Sequence, residues 1–238
     1  MASLTVRRSV GNLPEISAIV PSKPSRSSLS SPPRNGLVCV VDDEESVRRS
    51  LSRLFRSARL PAETFVSALA YLDRATYDGP SCLVLDVQLP GLDGLELQQA
   101  LADRKEQIVF ITGHGDVPMC TQAMKAGAVD FLIKPVDDKA LLAAVRRALE
   151  RSAEIRKMKA ERASARAKLD RLTPREFEVL QRVIAGRLNK QIAAELGSAE
   201  KTVKIHRGRV MEKMGVASVP ELVRLAQAAG VAPLVSRA

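Results

Sequence analysis

The chain has 238 residues, enough for two small domains with separate cores, and 45% of them are hydrophobic, which excludes a wholly disordered protein. Its net charge of +10 is unevenly spread: residues 36–139 carry 11 Lys and Arg against 16 Asp and Glu, whereas residues 140–238 carry 21 against 10. An acidic module therefore precedes a basic one suited to a polyanion. No apolar stretch reaches the ~18 residues a membrane span needs, and the first residues lack the apolar core of a signal peptide, so a cytoplasmic protein with no membrane partner is expected.

Residues 1–35 are rich in Ser, Pro and Arg, above all between Pro21 and Pro33, and are expected to form a disordered tail. From residue 36 short apolar runs alternate with amphipathic stretches. Leu37–Val41, Cys82–Leu85, Ile108–Thr112 and Val129–Ile133 predict buried parallel strands, with a weaker one near Pro61–Phe65. Helices are predicted over Ser46–Ser57, Val66–Ala75, Gly94–Arg104, Val117–Ala126 and Asp138–Leu149. This alternation over residues 36–150 gives an α/β domain with a doubly wound, five-stranded parallel sheet. Cys39, Cys82 and Cys120 match no metal or disulfide spacing and read as reduced thiols, the first two inside apolar runs.

A parallel sheet presents its chemistry at the carboxyl ends of its strands. Asp42 and Asp43 follow strand one, Asp86 ends strand three, Thr112 ends strand four and Lys134 ends strand five. Three carboxylates repel one another unless a cation joins them, and oxygen-only ligands suit Mg²⁺. With the cation present one carboxylate can attack a phosphoryl donor, while a hydroxyl at Thr112 and an ammonium at Lys134 contact phosphoryl oxygens.

The segments Val40-Val41-Asp42-Asp43-Glu44, Leu83 through Gly94, Ile111-Thr112-Gly113-His114-Gly115 and Phe131-Leu132-Ile133-Lys134-Pro135 resemble the receiver domain of bacterial two-component response regulators. The resemblance implies that Asp86 is the phospho-acceptor for a sensor histidine kinase. It implies Mg²⁺ held by Asp43, Asp86 and the backbone carbonyl of Gln88, with Asp42 acting chiefly through water. Thr112 and Phe131 would be the switch pair, and Lys134 would bind the phosphoryl group. Val136 stands where many relatives have a bulky aromatic, and His114 lies in a loop near the site.

Residues 151–170 are dominated by Ala, Lys, Arg and Glu, with Ile155 and Met158 as large apolar exceptions, and predict a solvated helical linker. Residues 171–238 predict an all-α four-helix domain. Thr173, Pro174 and Glu176 form a capping signature for a first helix that stops at Gly186. Helices two (Lys190–Leu196) and three (Lys201–Met214) are separated by a turn at Gly197, which is the helix-turn-helix spacing. Val203, Val210 and Met214 form the apolar side of the third helix, leaving Lys201, Lys204, His206, Arg207, Arg209 and Lys213 for its surface. Helix four is predicted over Val219–Ala229.

Leu172-Thr173-Pro174-Arg175-Glu176, Val179-Leu180, Asn189-Lys190-Gln191-Ile192-Ala193 and Thr202-Val203-Lys204-Ile205-His206 resemble the LuxR-type DNA-binding domain. Joined to this receiver, the chain resembles the FixJ branch of the NarL/FixJ response regulators, and more loosely regulators of aromatic-hydrocarbon breakdown. That resemblance implies a transcriptional regulator, commonly an activator, which on phosphorylation forms a homodimer, binds double-stranded promoter DNA and engages RNA polymerase. Lys204, Ile205 and Arg209 would face the major groove, with Asn189, Lys190, Thr202, His206 and Arg207 closer to phosphates. Gly208 departs from relatives with a basic residue there, leaving base reading at that point open. No catalytic output module follows the receiver, so the chain is not expected to be an enzyme beyond its own phosphorylation and dephosphorylation. A regulator not controlled by phosphorylation and a phosphorelay or docking protein are the alternative readings.

Overall fold

The runs Leu37–Val41, Ser81–Asp86 and Ile108–Thr112 become the three central strands because they are covered on both faces, whereas the two edge strands are only partly buried. The computed structural model describes residues 36–104 and 106–234; the tail expected over residues 1–35 lies outside the described residues. Strands β1 (Leu37–Val41), β2 (Ala62–Phe65), β3 (Ser81–Asp86), β4 (Ile108–Thr112) and β5 (Asp130–Ile133) form one parallel sheet in the order β2-β1-β3-β4-β5. Alternate residues feed two cores. Val38, Val40, Val84, Val109 and Ile111 pack under helices α1 (Glu45–Ser57) and α5 (Asp138–Leu169), against Leu51, Phe55, Leu141 and Val145. Cys39, Val41, Leu83, Leu85 and Phe110 face α2 (Ala68–Leu72), α3 (Gly94–Ala100) and α4 (Val117–Lys125), against Tyr71, Leu97 and Ala123. This is the doubly wound α/β architecture, and its switch in strand order falls between β1 and β3.

Helix starts follow local chemistry. Asp93 and Glu96 form a reciprocal capping box on α3, Asp116 caps α4 ahead of Pro118, and Asp137 caps α5. Two predicted helices are shortened. Ser67 Oγ accepts from the Ala70 amide and caps α2, which therefore starts at Ala68 rather than Val66, and α2 ends at Leu72 rather than Ala75. The chain after α3 tightens into a 3-10 turn at Ala102–Arg104.

Helix α5 runs unbroken for 32 residues into the second domain. Its predicted solvation holds only in part. Near the receiver, Ser152 is buried and its Oγ accepts from the Ser81 amide at 3.0 Å, while Arg156 pairs with Asp78. At its far end Ala165 and Leu169 are buried in the core of the following domain, because the small alanine lets neighbouring side chains reach the helix backbone. That domain contains α6 (Pro174–Ile184), α7 (Asn189–Glu195), α8 (Glu200–Met214) and α9 (Val219–Ala228) around Val179, Leu180, Ile192, Val203, Val210, Met214 and Leu222. Its helices begin as capping chemistry dictates, with a reciprocal Thr173–Glu176 box on α6 and a Ser218 cap ahead of Pro220 on α9. The fold is thus a receiver-type α/β domain followed by an all-α helix-turn-helix domain.

Candidate functional site

At the carboxyl edge of the sheet, β1, β3, β4 and β5 bring Asp42, Asp86, Thr112 and Lys134 together. The Lys134 ammonium donates to Oδ2 of Asp42 at 2.8 Å and to Oδ2 of Asp86 at 2.6 Å. Asp42 and Thr112 are fully buried and Asp86 nearly so, whereas Asp43 is exposed. Ligand oxygens of Asp42, Asp43 and Asp86 all lie within 4.8 Å of one another. Burial pushes the Asp42 carboxyl above its ordinary range, against the pull of Lys134. Burial also disfavours the Lys134 cation, but its bonds to Asp42 and Asp86 outweigh this and hold the ammonium above its usual value.

The backbone completes the arrangement. Amides of Glu44 and Gln88 donate to Oδ1 of Asp42 and Asp86 at 2.9 and 3.0 Å, fixing both carboxylates. Thr112 Oγ1 donates to the His114 carbonyl at 3.1 Å and accepts from the His114 amide at 3.3 Å, so its hydroxyl is engaged in the β4–α4 loop. Phe131 is half-buried, with its ring centroid 6.0 Å from that of Phe110. Val136 packs, partly buried, at the edge of the α1–α5 core.

Three supporting residues have no role assigned from the sequence, although Gly94 and Gly115 stand in the segments that carry the resemblance. The Arg48 guanidinium donates to the Asp42 carbonyl at 2.7 Å from the first turn of α1. A Cβ on Gly94 would stand 2.4 Å from the Asp86 carbonyl oxygen, so α3 can start against the end of β3 only with glycine there. A Cβ on Gly115 would stand 2.9 Å from the Phe131 ring and 3.2 Å from Thr112 Cγ2. The thiols lie apart from this chemistry: burial pushes Cys39 up to about 12 and raises Cys82 as well, leaving both protonated.

In the second domain the turn between α7 and α8 is sharp because Gly197 adopts a left-handed conformation, φ +59°. Arg175 on α6 pins it, donating to the Leu196 carbonyl and Ser198 Oγ, each at 2.7 Å; this residue carried only family resemblance in the sequence. Lys190, Lys201, Thr202, Lys204, Ile205 and Arg209 are exposed on α7 and α8. Three other side chains assigned to the free surface are paired or partly buried instead. Arg207 donates to Asn189 Oδ1 at 3.0 Å, Lys213 pairs with buried Glu176 at 2.6 Å, and His206 is half-buried with Nδ1 enclosed. Helical phase is the reason: these positions flank the apolar side rather than oppose it.

Residues 38–146 match the family model described as response regulator receiver domain, and residues 170–226 match the one described as bacterial regulatory proteins, luxR family. Fold, acidic site and output module together define a two-component response regulator. Over 197 residues the chain is 49% identical to Nodulation protein W of Bradyrhizobium diazoefficiens, covering 82% of this chain and 87% of that one. It is 46% identical over 198 residues to Transcriptional regulatory protein FixJ of Azorhizobium caulinodans, covering 82% and 94%. The response regulator StyR, solved at low resolution, is similar with a TM-score of 0.74 and 46% identity, over 81% of this chain and 98% of that one. The chain belongs to the NarL/FixJ-type response regulators, phosphorylation-dependent transcriptional regulators of two-component systems. These are not enzymes in the usual sense. No helix among the described residues is long and apolar enough to cross a membrane.

Proposed function

We propose that Asp86 accepts the phosphoryl group from a sensor histidine kinase in the cytoplasm, and that the phosphorylated chain dimerises, binds promoter DNA and activates transcription through RNA polymerase. The observation that carries this reading is the Lys134 ammonium, shared between Asp42 and Asp86. A carboxylate oxygen of Asp86 attacks phosphorus, and the donor's imidazole leaves with the bonding electron pair. Lys134 can then transfer one hydrogen bond from a carboxylate to a phosphoryl oxygen, and Thr112 can turn its hydroxyl from His114 toward another.

One ammonium faces two buried carboxylates and a third at their rim, all oxygen donors, which fits Mg²⁺. Asp42, Asp43, Asp86 and the Gln88 carbonyl are the residues to hold it. The ion would neutralise charge between the carboxylates and the incoming phosphoryl oxygens.

Movement of Thr112 frees space that Phe131 can enter, which couples the site to β5. Val117 and Met124 on α4 and Ile133 on β5 are large, exposed apolar side chains on the elements flanking that switch. Covering them in a second copy is the reading they favour. The linker leaves from the opposite edge of the sheet, where Ser152 meets Ser81, so phosphate and DNA surface do not meet directly. In a dimer two α8 helices bind one duplex, with half-sites about one helical turn or a multiple apart. In this reading Lys204, Ile205 and Arg209, all exposed on α8, take base edges, and Asn189, Lys190, Thr202, His206 and Arg207 take the phosphate side.

Sedimentation velocity with and without acetyl phosphate and Mg²⁺, run beside a fragment of residues 158–238, tests the dimer. The expected result is a shift from monomer to dimer that parallels DNA affinity. A phosphorylated monomer with the DNA affinity of the fragment would instead establish release of an inhibitory receiver contact.

A further inference from the structure

Helix α8 contains a glycine that the folded chain does not require. Gly208 lies in the middle of a 15-residue helix, its φ is not positive, and a Cβ built on it would meet no atom within 4 Å. A glycine in a helix interior destabilises that helix relative to alanine. The domain therefore carries a stability cost at a position where a β-carbon would meet no neighbour.

Helical geometry places this gap. With Val203, Val210 and Met214 buried, the outward side of α8 is formed by Lys201, the neighbours Lys204 and Ile205, Gly208 and Glu212, successive turns being three or four residues apart. Gly208 lies one turn beyond Lys204 and Ile205 and one turn before Glu212. Ile205 is itself anomalous: a large aliphatic side chain, 49% exposed, on a helix whose other outward neighbours are charged or bare. An exposed isoleucine beside a missing side chain makes a shallow apolar notch flanked by Lys204 and Arg209.

We propose that Gly208 is a specificity-determining residue. Its bare Cα lets the α8 backbone approach the floor of the major groove, and the Ile205–Gly208 notch receives the 5-methyl group of a thymine, while Lys204 and Arg209 take polar edges on either side. The chemistry follows from the groove: thymine presents the one apolar projection there, and only an apolar, uncrowded surface accepts it without desolvating a charge. The inference rests on the reading that α8 is the groove-facing helix and deepens it by naming the base feature read.

The test starts with full-length phosphorylated protein and a random duplex library, which yields a selected duplex. Fluorescence anisotropy then compares wild type, Gly208→Ala, Gly208→Leu and Ile205→Ala on that duplex, on its forms with single thymines replaced by uracil, and on a random duplex. Wild type should lose about fivefold or more at one uracil position, and Ile205→Ala should be indifferent to that replacement. Gly208→Leu should bind the selected duplex about tenfold or more weakly and the random duplex unchanged. Gly208→Ala should melt at an equal or higher temperature, which separates recognition from folding. If Gly208→Leu keeps wild-type affinity and preferences, or no uracil replacement matters, the proposal is wrong although α8 still reads DNA. If wild type selects no sequence at all, the groove-facing reading falls with it.

Discussion

Lys134 stands 2.6 Å from Asp86 and 2.8 Å from Asp42, so one cation is shared by two carboxylates that are almost wholly buried. Removing one partner of a buried ion pair costs more than the pair contributes, because a charge is left without compensation. Lys134→Met is therefore expected to lower receiver stability by about 3 kcal/mol in chelator, and Mg²⁺ should restore part of the loss. Urea unfolding in chelator and in Mg²⁺ checks both parts. Equal stability of mutant and wild type in chelator would show that Lys134 is not the counter-charge.

The linker is tied to the receiver by two contacts of different worth. Ser152→Ala leaves the Ser81 amide without its acceptor and is expected to cost about 1–2 kcal/mol. Arg156→Ala breaks a pair whose Asp78 side chain is 96% exposed, so it should cost well under 1 kcal/mol. Denaturant midpoints of the two variants should differ in that order. The reverse order would mean that the helix is held by charge rather than by the buried hydroxyl.

Glu176 gives the DNA-binding domain a pH dependence of known sign. Burial disfavours its charged form, but bonds from Lys213 and the Thr173 amide and hydroxyl outweigh burial and hold its carboxyl below the ordinary value of 4.5. A carboxyl depressed on folding stabilises the fold above its unfolded pKa, and the contribution is lost as pH falls through the folded value. Thermal melts of residues 158–238 should thus be level near neutrality and drop below about pH 4.5. Lys213→Met should flatten part of that fall. An acid limb of the same size in mutant and wild type would contradict the pairing.

The receiver was legible because its physics is written locally. A strand covered on both faces must be apolar throughout, so Leu37–Val41 and Ile108–Thr112 stand out, and the polar residue at or just after the end of each run marks the chemical edge. Arg48 was not legible, since an arginine on a helix reads as a solvated charge until the Asp42 carbonyl is seen beneath it. Charge patterning likewise cannot separate exposed Lys204 from Lys213, which is committed to Glu176. Ala165 looked like one more helix former in a polar linker. Its burial depends on a domain that folds back against it, a relationship no local window contains. Gly94 is similar: only the approach of the Asp86 backbone explains it.

The most direct test weighs the intact protein after incubation with acetyl phosphate and Mg²⁺, for wild type and Asp86→Asn. Wild type should gain about 80 Da, the mass of one phosphoryl group, and should lose that gain when Mg²⁺ is withheld. Asp86→Asn should gain nothing under either condition. An undiminished adduct on Asp86→Asn would place the acceptor elsewhere and contradict the account.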